Sequence, residues 1–365
     1  MFLTRLTSSP HFYTFLYIAI CMLAAFNIFE VLFLLVHKRR VEKAEAKKEL
    51  LKHRITTAVI TVTDPSELLP APKDSTDHEA YSEAVASIIG SFQGEVAERA
   101  IQLIYKLKID RYYQRLCKNP VWYKRAHAVD ILSALKLTRN RDFFPDLFKT
   151  ETSNDVKYRI IYGLSLLARD QEYIYSLCKL LSGLPYLTAK YTEDVFFNAI
   201  TALKGAGREA EFKFFLKRIM AAPEILTIVK RDCLSACHAA GCEQMDLIVM
   251  EYYWTFQDEP EVMIACIKSL VSMGDLAILP SVLRHKDWRV RLTALKSAHL
   301  CGPEVLPALK DSLHDTNYHL RINAALALAR FGAEGRAILR GEAASPDKFA
   351  ADAARYALGS AEAAA

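Results

Sequence analysis

The chain has 365 residues, of which 52% are hydrophobic and 24% charged, with a formal net charge of +5. The excess sits in residues 38–54, where eight Lys/Arg face three Glu; from residue 55 onward 38 basic and 38 acidic residues balance. A neutral body excludes a general nucleic-acid binder, which has to neutralise phosphates, and eight cysteines without an extracellular spacing pattern suit a reducing compartment.

Residues 1–11 form a short N-terminus, expected on the non-cytoplasmic side. Residues 12–37 are the predicted transmembrane helix. The run FYTFLYIAICMLAAFNIFEVLFLLV carries one charged residue, Glu30, and at ~1.5 Å per residue it reaches roughly 37 Å, enough for a ~30 Å hydrocarbon core. A cleavable signal peptide has a shorter apolar core and a basic start, so an uncleaved anchor is the reading. Lys/Arg crowd the C-terminal flank, and the positive-inside rule then places the body in the cytoplasm of a cell whose inner membrane holds the anchor.

Asn27 and Glu30 are three residues apart and share a helix face inside the bilayer. Intramembrane polar groups are costly and find partners, so both are candidate contacts with another transmembrane helix. The basic stretch 38–60 is predicted to continue as a juxtamembrane helix. Lys38, Arg39, Arg40, Lys43, Lys47 and Lys48 are expected on anionic headgroups, at about 1 kcal/mol per basic residue.

Residues 61–80 contain three prolines with Asp and Ser and read as a flexible linker. Helical periodicity resumes at Tyr81 and runs almost to the end. The chain then repeats itself. An aliphatic residue, one four later and a glycine twelve later recur as Val195/Ala199/Gly207, Val229/Cys233/Gly241, Val262/Cys266/Gly274, Val290/Ala294/Gly302 and Leu320/Ala324/Gly332. Position eight holds Leu203, Cys237, Leu270, Ala298 and Leu328. One face is thus apolar, and a glycine follows where a left-handed C-cap is needed. Val156, Ile160, Leu164 and Ala168 match with the glycine lost.

After each glycine comes a second apolar segment, such as EVLPALKDSL. Two helices per 28–39 residues is the signature of an α-solenoid. The run DWRVRLTALKSAHLCGPEVLPALKDSLHD resembles the HEAT family, especially the short bacterial HEAT repeats of phycobilin lyases. Asp287, Val290, Arg291, Ala294, Leu295 and Pro307 carry the resemblance, with Leu320, Arg321, Ala324 and Ala325 in the next unit. It covers 191–359 well and 81–190 loosely, leaving 360–365 as a disordered tail. The implied fold is all-α, a right-handed solenoid of HEAT-like helix pairs behind one transmembrane helix.

Cys233, Cys237, His238 and Cys242 have a spacing that could hold zinc or an iron–sulfur cluster, but repeat alignment puts both Cys233 and Cys237 on the core face. No metal, cofactor or catalytic residue is expected, and no Walker loop, nucleophile elbow or HExxH occurs. Arg291 and Arg321, with Asp287 and Asp315, suggest an Asp–Arg ladder between repeats. On the second helices, expected to line a concave face, aromatics mix with basic residues, and Lys217, Arg218 and Tyr253 are the predicted partner contacts. The expectation is a non-enzymatic scaffold or adaptor that binds a protein, including an integral membrane protein, with no nucleic acid. Its setting would be an inner-membrane complex for envelope polysaccharide synthesis, secretion or signalling. The alternatives are a tetrapyrrole- or bilin-handling lyase-like protein, which the resemblance implies, and a small-molecule or peptide sensor.

Overall fold

The computed structural model describes residues 10–185, 189–208, 210–241 and 245–363, and no strand occurs among them. The chain falls into two compact units, Met1–Leu137 and Thr138–Ala365.

The first unit begins with α1, one helix from Pro10 to Thr61. Neither Gly nor Pro interrupts it after Pro10, so nothing forces a kink. Cys21–Thr61 holds an 18-residue stretch of mean hydropathy 1.7, none of it buried, which is long and apolar enough to cross a membrane. The other end of α1 is a conventional packing helix. Ile55, Ala58 and Val59 are buried, and each of the larger two contributes about 1.5–3 kcal/mol of hydrophobic burial. α2 (Ser75–Ser91) packs along this end, followed by α3 (Glu95–Lys106), α4 (Ile109–Leu116) and α5 (Trp122–Ala134).

The linker expected at 61–80 is instead tied down. Pro65–Glu67 is a 3-10 turn with Pro65 buried, and Asp64 accepts hydrogen bonds from the Ser66 amide (3.1 Å) and from Lys106. The Tyr81 hydroxyl donates to the Pro70 carbonyl at 2.5 Å, and Asp74 caps α2 by accepting from the Asp77 amide at 2.9 Å. Prolines here supply fixed turns and free carbonyl acceptors, so their composition signals a shaped connection.

In the second unit α6 (Asn140–Thr150) packs on α7 (Asn154–Ser165). From α7 the first helices of the repeats stack in order: α9 (Ala189–Gly205), α11 (Thr227–Ala239), α13 (Pro260–Ser272), α15 (Trp288–Ser297), α17 (Tyr318–Arg330) and α19 (Lys348–Ala363). The second helices are α8 (Gln171–Ser182), α10 (Ala210–Ala221), α12 (Asp246–Thr255), the short α14 (Leu279–Val282), α16 (Leu306–Ser312) and α18 (Ala333–Glu342). The residues predicted at positions 0, 4 and 8 in the five units from Val195 to Leu328 are all fully buried. The period-four apolar stripe is therefore the seam along which the first helices stack.

Glycine ends the first helix as expected at Gly207, Gly241, Gly274 and Gly332, where φ is positive. At Gly274 the Asp275 amide reaches back to the Leu270 carbonyl (2.9 Å) while the Gly274 amide bonds Val271 (3.1 Å). This paired closure needs a left-handed residue. Gly302 departs from the pattern with φ −73° and ψ 178°. Pro303 follows it, and a residue before proline is pushed into the extended region.

Polar groups stitch the first helices across repeats. The Thr192 hydroxyl donates to the buried Asp232 carboxylate at 2.5 Å, and Arg231 pairs with Asp232 (2.6 Å) and with Glu261 (3.1 Å). Arg289 continues the chain to Glu261 (2.6 Å) and Asp287 (3.0 Å). Arg291 donates to the His285 carbonyl and reaches Asp315 of the next repeat, both at 2.8 Å. The expected Asp–Arg ladder thus exists between Arg291 and Asp315. Asp287, however, caps α15 and pairs with Arg289, and Arg321 braces the carbonyls of Asp315 and Thr316 in its own loop.

Candidate functional site

Three second helices, α8, α10 and α12, lie side by side, and their phases decide what they offer to solvent. In α10 Phe212, Phe215, Leu216 and Ile219 are buried, and in α12 Ile248, Val249, Tyr252 and Tyr253. These are the i, i+3, i+4 faces that pay for packing. The Tyr252 hydroxyl, buried, donates to the Leu216 carbonyl at 2.8 Å, and Lys217 pairs with Glu251 at 3.4 Å. Together they set α12 beside α10 in one register.

The opposite faces carry three large apolar side chains among charged ones. Phe214 is 70% exposed, Leu247 77% and Trp254 60%. Leu247, Glu251 and Trp254 fall at i, i+4 and i+7 and form one stripe on α12. Phe214 and Leu247 precede Lys217 and Glu251, the pair that joins the two helices, by one turn each. Beside them Arg218 lies 4.0 Å over the Tyr175 ring of α8 and ion-pairs with Glu172. The Tyr175 hydroxyl donates to Glu224 at 2.5 Å, a bond that, with the local backbone, holds the Glu224 carboxyl below its usual range. The surface thus carries three large exposed hydrophobes, Phe214 on α10 and Leu247 and Trp254 on α12, interleaved with the Lys217–Glu251 and Arg218–Glu172 ion pairs.

Lys217 and Arg218 are where the sequence placed them, on the second-helix face, with cross-helix acidic partners. Tyr253 is not: it is 5% exposed and meets Trp254 edge-on at 5.0 Å. Burial of Tyr252 against α10 turns its neighbour inward, so Trp254 takes the exposed place and Tyr253 supports it. Leu247 escaped sequence reasoning. The stripe 247, 251, 254 opposite the buried pairs 248/249 and 252/253 was the available signal.

On α1, Asn27 donates its side-chain amide to the Leu23 carbonyl at 2.8 Å in the same helix. Glu30 has no hydrogen-bond or ionic partner among the described residues. Of the six basic residues expected on lipid, Lys38 approaches Glu42 at 3.9 Å, and Arg39, Arg40 and Lys43 make no ion pair among the described residues. Lys47 and Lys48 are used inside the protein. Lys47 pairs with Asp74 (2.8 Å) and Asp77 (2.7 Å), and Lys48, 14% exposed, with Glu83 (2.6 Å). Lys52 joins Glu83 at 3.2 Å. An acidic face on α2 thus neutralises them, and the free basic cluster shrinks to 38–43.

Cys233 and Cys237 are fully buried, with the Cys237 thiol donating to the Cys233 carbonyl at 2.8 Å. Burial pushes the Cys233 and Cys266 thiols well up, which keeps them protonated and unreactive. His238 faces the other way and meets Ser272 at 2.9 Å, and Cys242 lies outside the described residues. Among the described residues no group of three or more His, Cys, Asp or Glu side chains is arranged as metal ligands.

Residues 276–359, the segment from α14 to α19 with its buried stripe and Arg291–Asp315 bridge, match the family model described as HEAT repeats. Among solved structures, the Escherichia coli protein YibA is similar at 12% identity, over 79% of this chain and 98% of that chain, with a TM-score of 0.35. An engineered protein is similar at 16% identity over 77% and 96%, with a TM-score of 0.22. No curated protein matches the chain. HEAT repeats generally mediate protein–protein interaction.

Proposed function

We propose that this chain is a non-enzymatic scaffold: a HEAT-repeat body held at the inner membrane by α1, N-terminus outside and body cytoplasmic, that binds a protein partner. The observation that carries the reading is the exposure of Phe214, Leu247 and Trp254 on the neighbouring helices α10 and α12, interleaved with the ion pairs of Lys217 and Arg218. Exposed clusters of large hydrophobes with Arg and Trp at hand are what interfaces use as anchors. The span in α1 and the Lys/Arg bias behind it support the anchoring. Arg39, Arg40 and Lys43 are the side chains left to meet anionic headgroups. In this role the chain would act as an accessory subunit of an inner-membrane complex, with envelope polysaccharide synthesis, secretion or signalling as settings.

The test is affinity purification of the tagged full-length chain from gently solubilised membranes, beside a Phe214→Ser, Leu247→Ser, Trp254→Ser triple variant. A protein recovered with the parent and reduced at least tenfold with the variant supports the reading. Surface substitutions of this kind change stability by only about 0.5 kcal/mol each, so unchanged capture, or no partner at all, refutes it.

A further inference from the structure

The polar residues in the apolar half of α1 are not scattered. At 100° per residue, Leu23, Asn27, Glu30, Leu34, His37 and Val41 fall within an arc of about 80°. Their spacings are four, three, four, three and four residues. That alternation is the a/d pattern of a two-stranded coil, with Asn27, Leu34 and Val41 at a and Leu23, Glu30 and His37 at d. All six side chains are exposed, and the stripe stays uncovered until α2 engages α1 at Lys47 and Lys48.

We propose that this stripe is a self-association seam through which two copies of the chain pair in parallel, Asn27 against Asn27 and Glu30 against Glu30. The inference rests on the membrane-anchored reading above.

Three features select a second copy over another partner. Copies inserted by the same rule have the same orientation, and a parallel pair brings equal layers face to face. Asparagine is its own complement. Asn27 spends one amide hydrogen on Leu23, leaving a second hydrogen and the carbonyl oxygen for an identical amide opposite. A single Asn at an a position is the device that selects a parallel, in-register pair. Glu30, which has no partner of its own among the described residues, meets the identical side chain of the second copy in the neighbouring layer. An unrelated helix would have to match both layers independently. A twofold pair matches them by symmetry. In hydrocarbon, satisfying these groups is what drives helices together.

The test is disulfide cross-linking of the full-length chain in native membranes, in a Cys21→Ser parent. Cys21 lies about 160° from Leu23 and would otherwise report the wrong face. Leu23→Cys and Leu34→Cys probe the stripe, and Ala25→Cys and Leu32→Cys the far side. Expected is a dimer at twice the chain mass on oxidation, several-fold more abundant for the stripe pair. Adding Asn27→Leu with Glu30→Leu should lower it about tenfold. Equal or absent cross-linking at the two faces overturns the seam, and so does a stripe adduct of any mass other than twice the chain's. The same membranes are washed with alkaline carbonate. Release of the chain refutes the anchored reading and the seam with it, whereas retention without stripe-biased dimers refutes the seam alone.

Discussion

Gly335→Ala should loosen the contact between α17 and α18 more than any other single methyl added to the chain's described glycines. A Cβ on Gly335 would lie 1.9 Å from the Leu328 carbonyl oxygen, 2.8 Å from its carbon and 2.9 Å from the Phe331 Cβ. Real Cβ contacts stay beyond 3.0 Å, so the helices must part by about 1 Å, and the obstacle is backbone that no rotamer change removes. A gap of 0.5–1 Å forfeits a quarter to a half of each contact's attraction, and overpacking of this kind costs about 1–3 kcal/mol. Alanine returns up to about 1 kcal/mol of helix propensity, leaving a net loss of about 1–2 kcal/mol. Gly341→Ala on the same helix is the counterpart. Nothing lies within 4 Å of its added carbon, so it should stabilise by about 0.5–1 kcal/mol. Native-state hydrogen exchange of the full chain, read on α17 and α18, measures both. Exchange should quicken roughly 5–30-fold for Gly335→Ala and slow for Gly341→Ala. Unchanged or slower exchange in Gly335→Ala would refute the close approach.

Tyr252→Phe strands the Leu216 carbonyl in the buried α10–α12 contact and should cost about 1–2 kcal/mol, seen as faster exchange in α10 and α12. Arg291→Ala removes the Asp315 bridge and the brace on His285 and Lys286. A loss of about 1–3 kcal/mol should appear as earlier opening of α15 and α17, and Arg291→Lys should recover little because the fork is lost. The α1–α2 clasp should weaken in acid. The hydrogen bond from Lys47 lowers Asp74; Asp77 and Glu83 are raised by burial but lowered further by Lys47 with the Lys73 amide, and by Lys48 with Lys52. With folded values depressed, the contribution is complete above about pH 4 and fades as pH falls through the lowered range. Circular-dichroism melts at pH 7 and pH 3 should show the drop, and Glu83→Gln should shrink it; a rise in melting temperature on acidification would contradict the clasp.

Much of the repeat architecture was readable because it is periodic. Positions 0, 4 and 8 from Val195 to Leu328 form the buried seam, since an apolar stripe every turn has one way to be covered. What escaped depends on neighbours remote in sequence or on a single adjacent residue. Pro303 re-aims Gly302. Lys47 and Lys48 look like lipid ligands until Asp74, Asp77 and Glu83 are placed beside them by the fold. The prolines of 61–80 suggest freedom, but the Tyr81 hydroxyl converts one of them into an acceptor. Tyr253 and Trp254 differ by one position, and local composition cannot choose which faces out. The contact of Tyr252 with α10 does.

The unbroken α1 also sets a clearance. Val36 is the last residue of the apolar run, and Lys47 is the first that α2 engages, eleven residues on. At ~1.5 Å per residue this is about 16 Å, of which the headgroup layer takes roughly 6 Å. With the span in a bilayer, a slot about 10 Å high remains under the first unit, edged by Arg39, Arg40 and Lys43. One helix lying flat, about 10–12 Å across with its side chains, just fills it. With the span so placed, a thicker body would meet the first unit before it reached Arg39, Arg40 and Lys43.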